Sequence, residues 1–218
     1  MSRISMLSAA WILLFLLSRI ESSEHACMLE KWTKNDLWNV LDCDEQPRLL
    51  HNATTFGAMR QIHAEITQQE LENTNSMHVD VTVRHNSKGR GVYAAQAIPK
   101  DTLVWSAQAS SVRFLSGTTF RHFLAQLPPA WACDILQWSY VLSLDDDRPR
   151  ASAVMGVDLD AGSFFNTATR TEPANVQYRN PCLPKMEFVA LRDIAVEEEL
   201  ITRYDYFTNE DGWGYFGL

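Results

Sequence analysis

Gly162-Ser-Phe-Phe-Asn-Thr-Ala-Thr-Arg-Thr-Glu-Pro-Ala-Asn-Val-Gln-Tyr178 and Phe188-Val-Ala-Leu-Arg-Asp-Ile-Ala-Val-Glu-Glu-Glu-Leu-Ile-Thr-Arg-Tyr204-Asp-Tyr206 are the two pieces whose reading decides the fold. Their order is an aromatic residue before Asn166, a loop, Pro173-Ala-Asn175, a strand, then Glu198-Glu199-Leu200 and a tyrosine. A third piece lies upstream: Lys88-Gly-Arg-Gly-Val-Tyr-Ala94, followed by Ile98-Pro-Lys-Asp-Thr-Leu-Val104. Glycines in such a turn let another group approach the backbone where a side chain would block it.

Around these pieces the chain reads as many short strands. Val79, Val81 and Val83 alternate with Asp80 and Thr82, and Val92 to Ala97, Thr102 to Ala107, Tyr140 to Leu144 and Ser152 to Leu159 follow as strands. Helices are confined to an insert and to an N-terminal arm. In the insert, Thr118 or Thr119 is the expected cap of Phe120 to Leu127, and Ala132 to Trp138 is a second short helix. In the arm, Asp36 is the expected cap of Leu37 to Leu41, and Phe56, Met59, Ile62, His63 and Ile66 follow helical spacing. The pattern is a β-rich α+β domain at 77–218, preceded by a helical extension and linker at 27–76.

The three motifs together resemble the SET domain of protein lysine methyltransferases. There the first piece usually reads Asn-His-Ser-Cys-x-Pro-Asn and the second Gly-Glu-Glu-Leu-x-x-x-Tyr. The resemblance implies small curved sheets, a C-terminal segment threaded under a preceding loop, and S-adenosyl-L-methionine as methyl donor. By that likeness Lys88, Gly89, Arg90 and Gly91 contact the methionine part of the donor, Asn166 and Thr167 occupy its binding motif, and Trp213 or Phe216 stacks on the adenine. Tyr204 matches the tyrosine beside the transferring methyl, and Tyr206, Tyr178 and Tyr140 are candidates for the acceptor channel. The sequence departs from the family pattern at Thr167 in place of histidine, at Ala168 and Thr169 in place of Ser-Cys, and at Glu197 in place of glycine.

The chemistry suits these residues. A lysine nucleophile must be neutral, although its ordinary pKa is about 10.4. A neighbouring cation and a dry channel lower that value, so the enzyme is chiefly a positioning device. Aromatic walls exclude water and face methylammonium groups favourably. The expected partner is a lysine-bearing protein or peptide. The alternative is a SET-like module that binds a peptide or nucleoside without turnover.

Composition bounds the rest. The 218 residues carry a net charge of −8, which argues against direct nucleic-acid binding. The four cysteines, Cys27, Cys43, Cys133 and Cys182, contain no Cys-x-x-Cys pair, and no metal is expected. Disulfides and free buried cysteines both remain open, with Cys27–Cys43 the favoured pair. Arg3 and the apolar run Met6 to Leu17, leading to Ala26, describe a secretory signal over 1–26. An uncleaved anchor or an organelle-targeting start are the alternatives, and membrane contact is expected only for the anchor. Asn52-Ala-Thr54 is an N-glycosylation acceptor that agrees with luminal passage. Expression in a eukaryotic cell is therefore expected to give a product that loses its N-terminus near Ala26. Mass spectrometry of the purified protein checks this, and a full-length cytosolic product overturns it.

Overall fold

The computed structural model describes residues 32–69, 76–107, 110–143, 151–179, 186–204 and 210–218. Its first helix, α1, spans Lys34–Val40. Thr33, not Asp36, is the N-cap. Asp36 is the third helical residue and returns a bond to the Thr33 backbone, completing a capping box. Helix α2, Ala53–Thr67, is capped by Asn52 in the same reciprocal way with Thr55, and it buries Phe56, Met59 and His63. His63 is a packed residue: its Nε2 lies 3.2 Å from the Arg113 carbonyl, and its ring meets Phe114 edge-on.

Strands β1 (Val81–Asn86) and β2 (Gly89–Ala94) form an antiparallel hairpin. Strand β2 starts three residues earlier than the pattern suggested, because Gly89 pairs with Asn86 across the turn. Gly89 takes φ 114°, a backbone region open chiefly to glycine. Strands β3 (Leu103–Ser106) and β4 (Ser111–Phe114) follow. The insert then forms α3 (Gly117–Ala125), capped by Ser116 instead of Thr118 or Thr119, and α4 (Pro129–Trp138). Helix α4 begins earlier than expected, because a proline at the first helical position has its φ already set and needs no N–H bond.

Strands β5 (Tyr140–Ser143) and β6 (Ala153–Asp158) return antiparallel, and β6 lies between β4 and β5 in one three-stranded sheet. A 3-10 turn at Ala161–Phe164 leads into β7 (Asn166–Thr167). Strands β8 (Val176–Tyr178) and β9 (Glu187–Ala190) pair antiparallel, with β9 central between β3 and β8. Strand β10 (Ile201–Thr202) then runs parallel to β7.

The β7–β10 contact contains the topological feature on which the site rests. Ala168 N–H bonds the Thr202 carbonyl at 2.7 Å, on the β7 side of the segment. On its other side, Asn175 N–H bonds the Ile201 carbonyl at 3.0 Å, and Asn175 Oδ1 accepts from Ile201 N–H at 2.8 Å. Asn175 Nδ2 also reaches the Glu199 carbonyl at 2.7 Å and Glu198 Oε1 at 2.9 Å. The C-terminal segment therefore passes through the loop that joins Asn166 to Asn175. Glu197, at the family's glycine position, has φ 68°; it holds this left-handed conformation while its carboxylate pairs with Arg84.

The extension shares its core with the sheets. Leu37, Leu41, Phe56 and Met59 belong to the same buried cluster as Val104, Phe114, Ile135 and Leu200. The expected Cys27–Cys43 pairing is overturned. Cys43 is bonded to Cys133 of α4, with Cα atoms 5.3 Å apart; Cys27 lies outside the described residues. The reason is packing: α1 lies on α4, so Cys43 meets the insert helix. The bond bridges 90 positions, and a loop of that size is costly to close in the unfolded chain without it. Cys43→Ser together with Cys133→Ser is expected to lower stability by about 2–4 kcal/mol. Denaturant midpoints with and without reductant check this, and coincident midpoints would refute it.

Candidate active site

A cavity of about 550 Å³ opens where the β1–β2 turn, the end of α4, the 3-10 turn and β10 meet. Lys88, Gly89, Arg90, Tyr140, Asn166 and Tyr204 all line it, so residues far apart in sequence converge on one space. Trp138, Phe164, Phe165 and Phe188 supply aromatic wall.

One carboxylate fixes the polar side. Glu199 Oε1 accepts from Asn166 Nδ2 at 2.6 Å and from Asn86 Nδ2 at 3.0 Å, and Oε2 pairs with Lys88 Nζ at 2.6 Å. Asn166 Nδ2 also donates to the Arg90 carbonyl at 2.7 Å. Gly91 lies behind this network, outside the lining. A Cβ there would meet Glu199 Oε1 and Asn86 Nδ2, so glycine is required for the carboxylate to sit against the hairpin. Lys88 is held by a second carboxylate, Glu172, at 2.8 Å. Arg90 is buried and donates to the Leu49 carbonyl at 2.7 Å and Gln137 Oε1 at 3.1 Å; it forms an ion pair with Asp134 Oδ1 at 2.9 Å, with its guanidinium over the Trp138 and Phe164 rings.

Tyr204 enters from the residue pair after β10. The residue as a whole is 39% exposed, while its hydroxyl is turned inward and donates to the Phe165 carbonyl. Burial, reinforced by the negative charges of Asp158 and Glu199, pushes that hydroxyl up to about 12. It therefore stays neutral at working pH and acts as a hydrogen-bonding group, not as a phenolate. Tyr140 Oη donates to Asp158 Oδ1 at 2.9 Å.

The remaining expected residues sit elsewhere. Thr167 is exposed on β7, with its Oγ1 accepting from Tyr204 N–H at 3.4 Å. Tyr178 pairs across the sheet with Phe188, and of the two it is Phe188 that lines the cavity. Tyr206 lies outside the described residues. Trp213 and Phe216 belong to a 3-10 helix at Glu210–Phe216 that packs on the insert: Trp213 meets Phe120 edge-on beneath Lys34 Nζ, and the Phe216 carbonyl lies against Gly117. Neither lines the cavity.

Sequence reasoning missed Asp158, Trp138, Phe164 and Arg48. Asp158 had a visible signal, a charged residue closing an apolar strand two positions before a second aspartate. The two carboxylates differ in role. Asp160 caps the 3-10 turn through Gly162 N–H at 2.7 Å and takes bonds from Trp105 Nε1 and Ser110 Oγ, whereas Asp158 lines the cavity. Burial first, then the nearby Asp160 charge, push the Asp158 carboxyl from 3.8 up to about 7, against bonds from Ser111 and Tyr140 and the Arg113 charge. Between those values the folded state holds a proton that the unfolded chain has released, so stability falls as pH rises from about 4 to about 7 and is level above. Asp158→Asn keeps an acceptor for both hydroxyls and removes the charge. It is expected to be more stable than wild type above pH 7, by on the order of 2–4 kcal/mol, with the gap closing towards pH 4. Denaturant titrations across pH check this; a gap that does not change with pH counts against it.

Comparison with known proteins bears on the lineage of this fold. No curated protein matches the chain. Among solved structures it resembles a Chaetomium thermophilum Polycomb Repressive Complex 2 bound to GSK126, at 20% identity and TM-score 0.39, over 63% of this chain and 17% of that one. It resembles ctPRC2 bound to S-adenosylmethionine at 19% identity and TM-score 0.39, over 63% of this chain and 16% of that one. It also resembles the Neurospora SET domain protein DIM-5, a histone lysine methyltransferase, at 17% identity and TM-score 0.39, over 59% of this chain and 53% of that one. The chain thus spans about a sixth of the length of the Polycomb chains and about half that of DIM-5. Residues 89–205, more than half of the sequence, match the family model described as the SET domain, and the chain belongs to that family.

Proposed function

We propose that the protein is an S-adenosylmethionine-dependent protein-lysine N-methyltransferase. The observation that carries this reading is the meeting of the Gly89 turn, Asn166 and the inward Tyr204 hydroxyl on one cavity. The space and its lining suit the donor. Gly89 exposes backbone without a side chain, Asn166 is fixed by two bonds through its Nδ2, and Trp138 and Phe164 offer apolar faces in place of the tail aromatics. When bound, the donor supplies an electrophilic sulfonium methyl.

The chain's own residues then have positioning roles. The neutral Tyr204 hydroxyl, anchored on the Phe165 carbonyl, has an oxygen of the type that accepts from an amine and orients it. Asp158, whose Oδ1 accepts from the Ser111 and Tyr140 hydroxyls, lines the same cavity and adds negative charge at the acceptor end. Phe165 and Phe188 keep the acceptor end of the cavity apolar. The Cys43–Cys133 bond supports a second part of the proposal, that the protein works in an oxidising compartment of the secretory route.

Tyr204→Phe removes one hydroxyl and keeps the ring. Methyl transfer to a lysine-rich protein pool is expected to fall about a hundred- to a thousandfold, a barrier increase of about 3–4 kcal/mol. Donor affinity is expected to change little, because the lost interaction acts at the reacting centre. Radiolabel transfer and calorimetry on both forms check this. Full activity in Tyr204→Phe removes the assigned role, and donor binding without transfer by wild type favours the binding-module reading.

A further inference from the structure

The N-terminal extension lies outside the family-matched residues 89–205, yet it contributes Arg48 to the cavity wall. Three cations line that cavity: Arg48, Lys88 and Arg90. Two of them are fully committed. Lys88 is shared by Glu172 and Glu199. Arg90 is closed in by Asp134, the Leu49 carbonyl, Gln137 and two aromatic faces. Arg48 is not. Its guanidinium lies 5.2 Å from the Trp38 ring centroid, and its carboxylate neighbour among the described residues is Asp134, whose Oδ1 lies 3.8 Å from Nη1, beyond hydrogen-bond length, so that neither atom has a hydrogen bond there. Its Nη1 is buried without a hydrogen-bond partner, while the side chain as a whole keeps 32% exposure.

The local charge balance has the same direction. Asp134 has no exposed side-chain surface, and it serves both guanidiniums and also His51 Nε2 at 2.9 Å. Two permanent cations thus share one carboxylate at the edge of the cavity. Asp158, the lining carboxylate among the described residues, is engaged by Tyr140 and Ser111. A guanidinium with one buried nitrogen left unbonded, sharing its carboxylate with a second guanidinium, is completed by an anion, and its planar fork matches a carboxylate.

We propose that Arg48, held in place by the extension, binds the carboxylate at the amino-acid end of the methyl donor. The inference rests on the donor reading of the cavity given above. It makes the extension part of the donor site and gives a reason for its fastening to α4. The disulfide, the Asp134–His51 pair and the Leu49 bonds to Arg90 and Asp134 all fix the backbone around Arg48.

The test compares S-adenosylmethionine with decarboxylated S-adenosylmethionine, which lacks only the carboxylate, by calorimetry on the full chain. Wild type is expected to bind the complete donor about ten- to a hundredfold more tightly, the range for a charge-assisted bond. Arg48→Ala is expected to lose that factor for the complete donor and to bind the decarboxylated form as wild type does. Arg48→Gln keeps part of the aliphatic stem and a polar end without the charge, and carries the same comparison if the alanine variant does not fold. Equal weakening of both ligands, no weakening of either, or no discrimination by wild type overturns the Arg48 assignment while leaving the donor site intact. Failure of wild type to bind either ligand overturns the donor reading itself, and this inference with it.

Discussion

The carboxylate of Glu199 is the junction on which the site depends. It draws together Asn86 and Lys88 from the hairpin and Asn166 from β7, while its own backbone carbonyl is held by Asn175. Its side chain is only 10% exposed. A charge so placed is tolerable because three donors replace the water it has lost. Removing any one of them leaves a partly compensated charge, and the remaining groups lose the point that fixes their spacing. Gly91 belongs to the same constraint, because the hairpin must present no side chain where the carboxylate rests.

How much of this was legible in the sequence follows from how local each cause is. The hairpin turn, the aromatic-Asn166 motif and the Glu-Glu-Leu to Tyr204 spacing are short-range patterns, and they named the family and three of the cavity's walls. The starts of α1 and α3 fall a few residues from the expected ones, because one capping residue competes with its neighbours. Thr33 against Asp36 and Ser116 against Thr118 or Thr119 are alternatives that sequence alone cannot rank, because all are good capping residues. Glu197 is instructive in another way. Where the family pattern has glycine, Glu197 takes φ 68°, a left-handed conformation that its side chain does not favour.

What stayed hidden was long-range. Arg48 reaches the cavity because the extension folds back on the insert, and Trp138 because α4 ends beside it; no spacing in the chain announces either contact. The Cys43–Cys133 bond has the same origin. The family pattern pointed to tail aromatics for the adenine, but Trp213 and Phe216 meet α3 instead. The aromatic surfaces at the cavity come from the C-terminal end of α4, from the 3-10 turn with Phe165 after it, and from Phe188 of β9.

The threading of residues 198–202 through the Asn166–Asn175 loop also governs how the molecule comes to exist. A strand cannot pass through a loop that has already closed tightly, nor can it be held by one that has not formed. The order of assembly is therefore restricted, and the same segment must also bring Glu199 to Asn86, 113 positions away, a class of contact that forms slowly. Tyr204, Glu199 and Asn166 all lie at this crossing, so a chain that has collapsed with every sheet in place but with the strand outside the loop would resemble the native form by most spectroscopic measures and possess no site. In this architecture, completion of the fold and appearance of the site are one event.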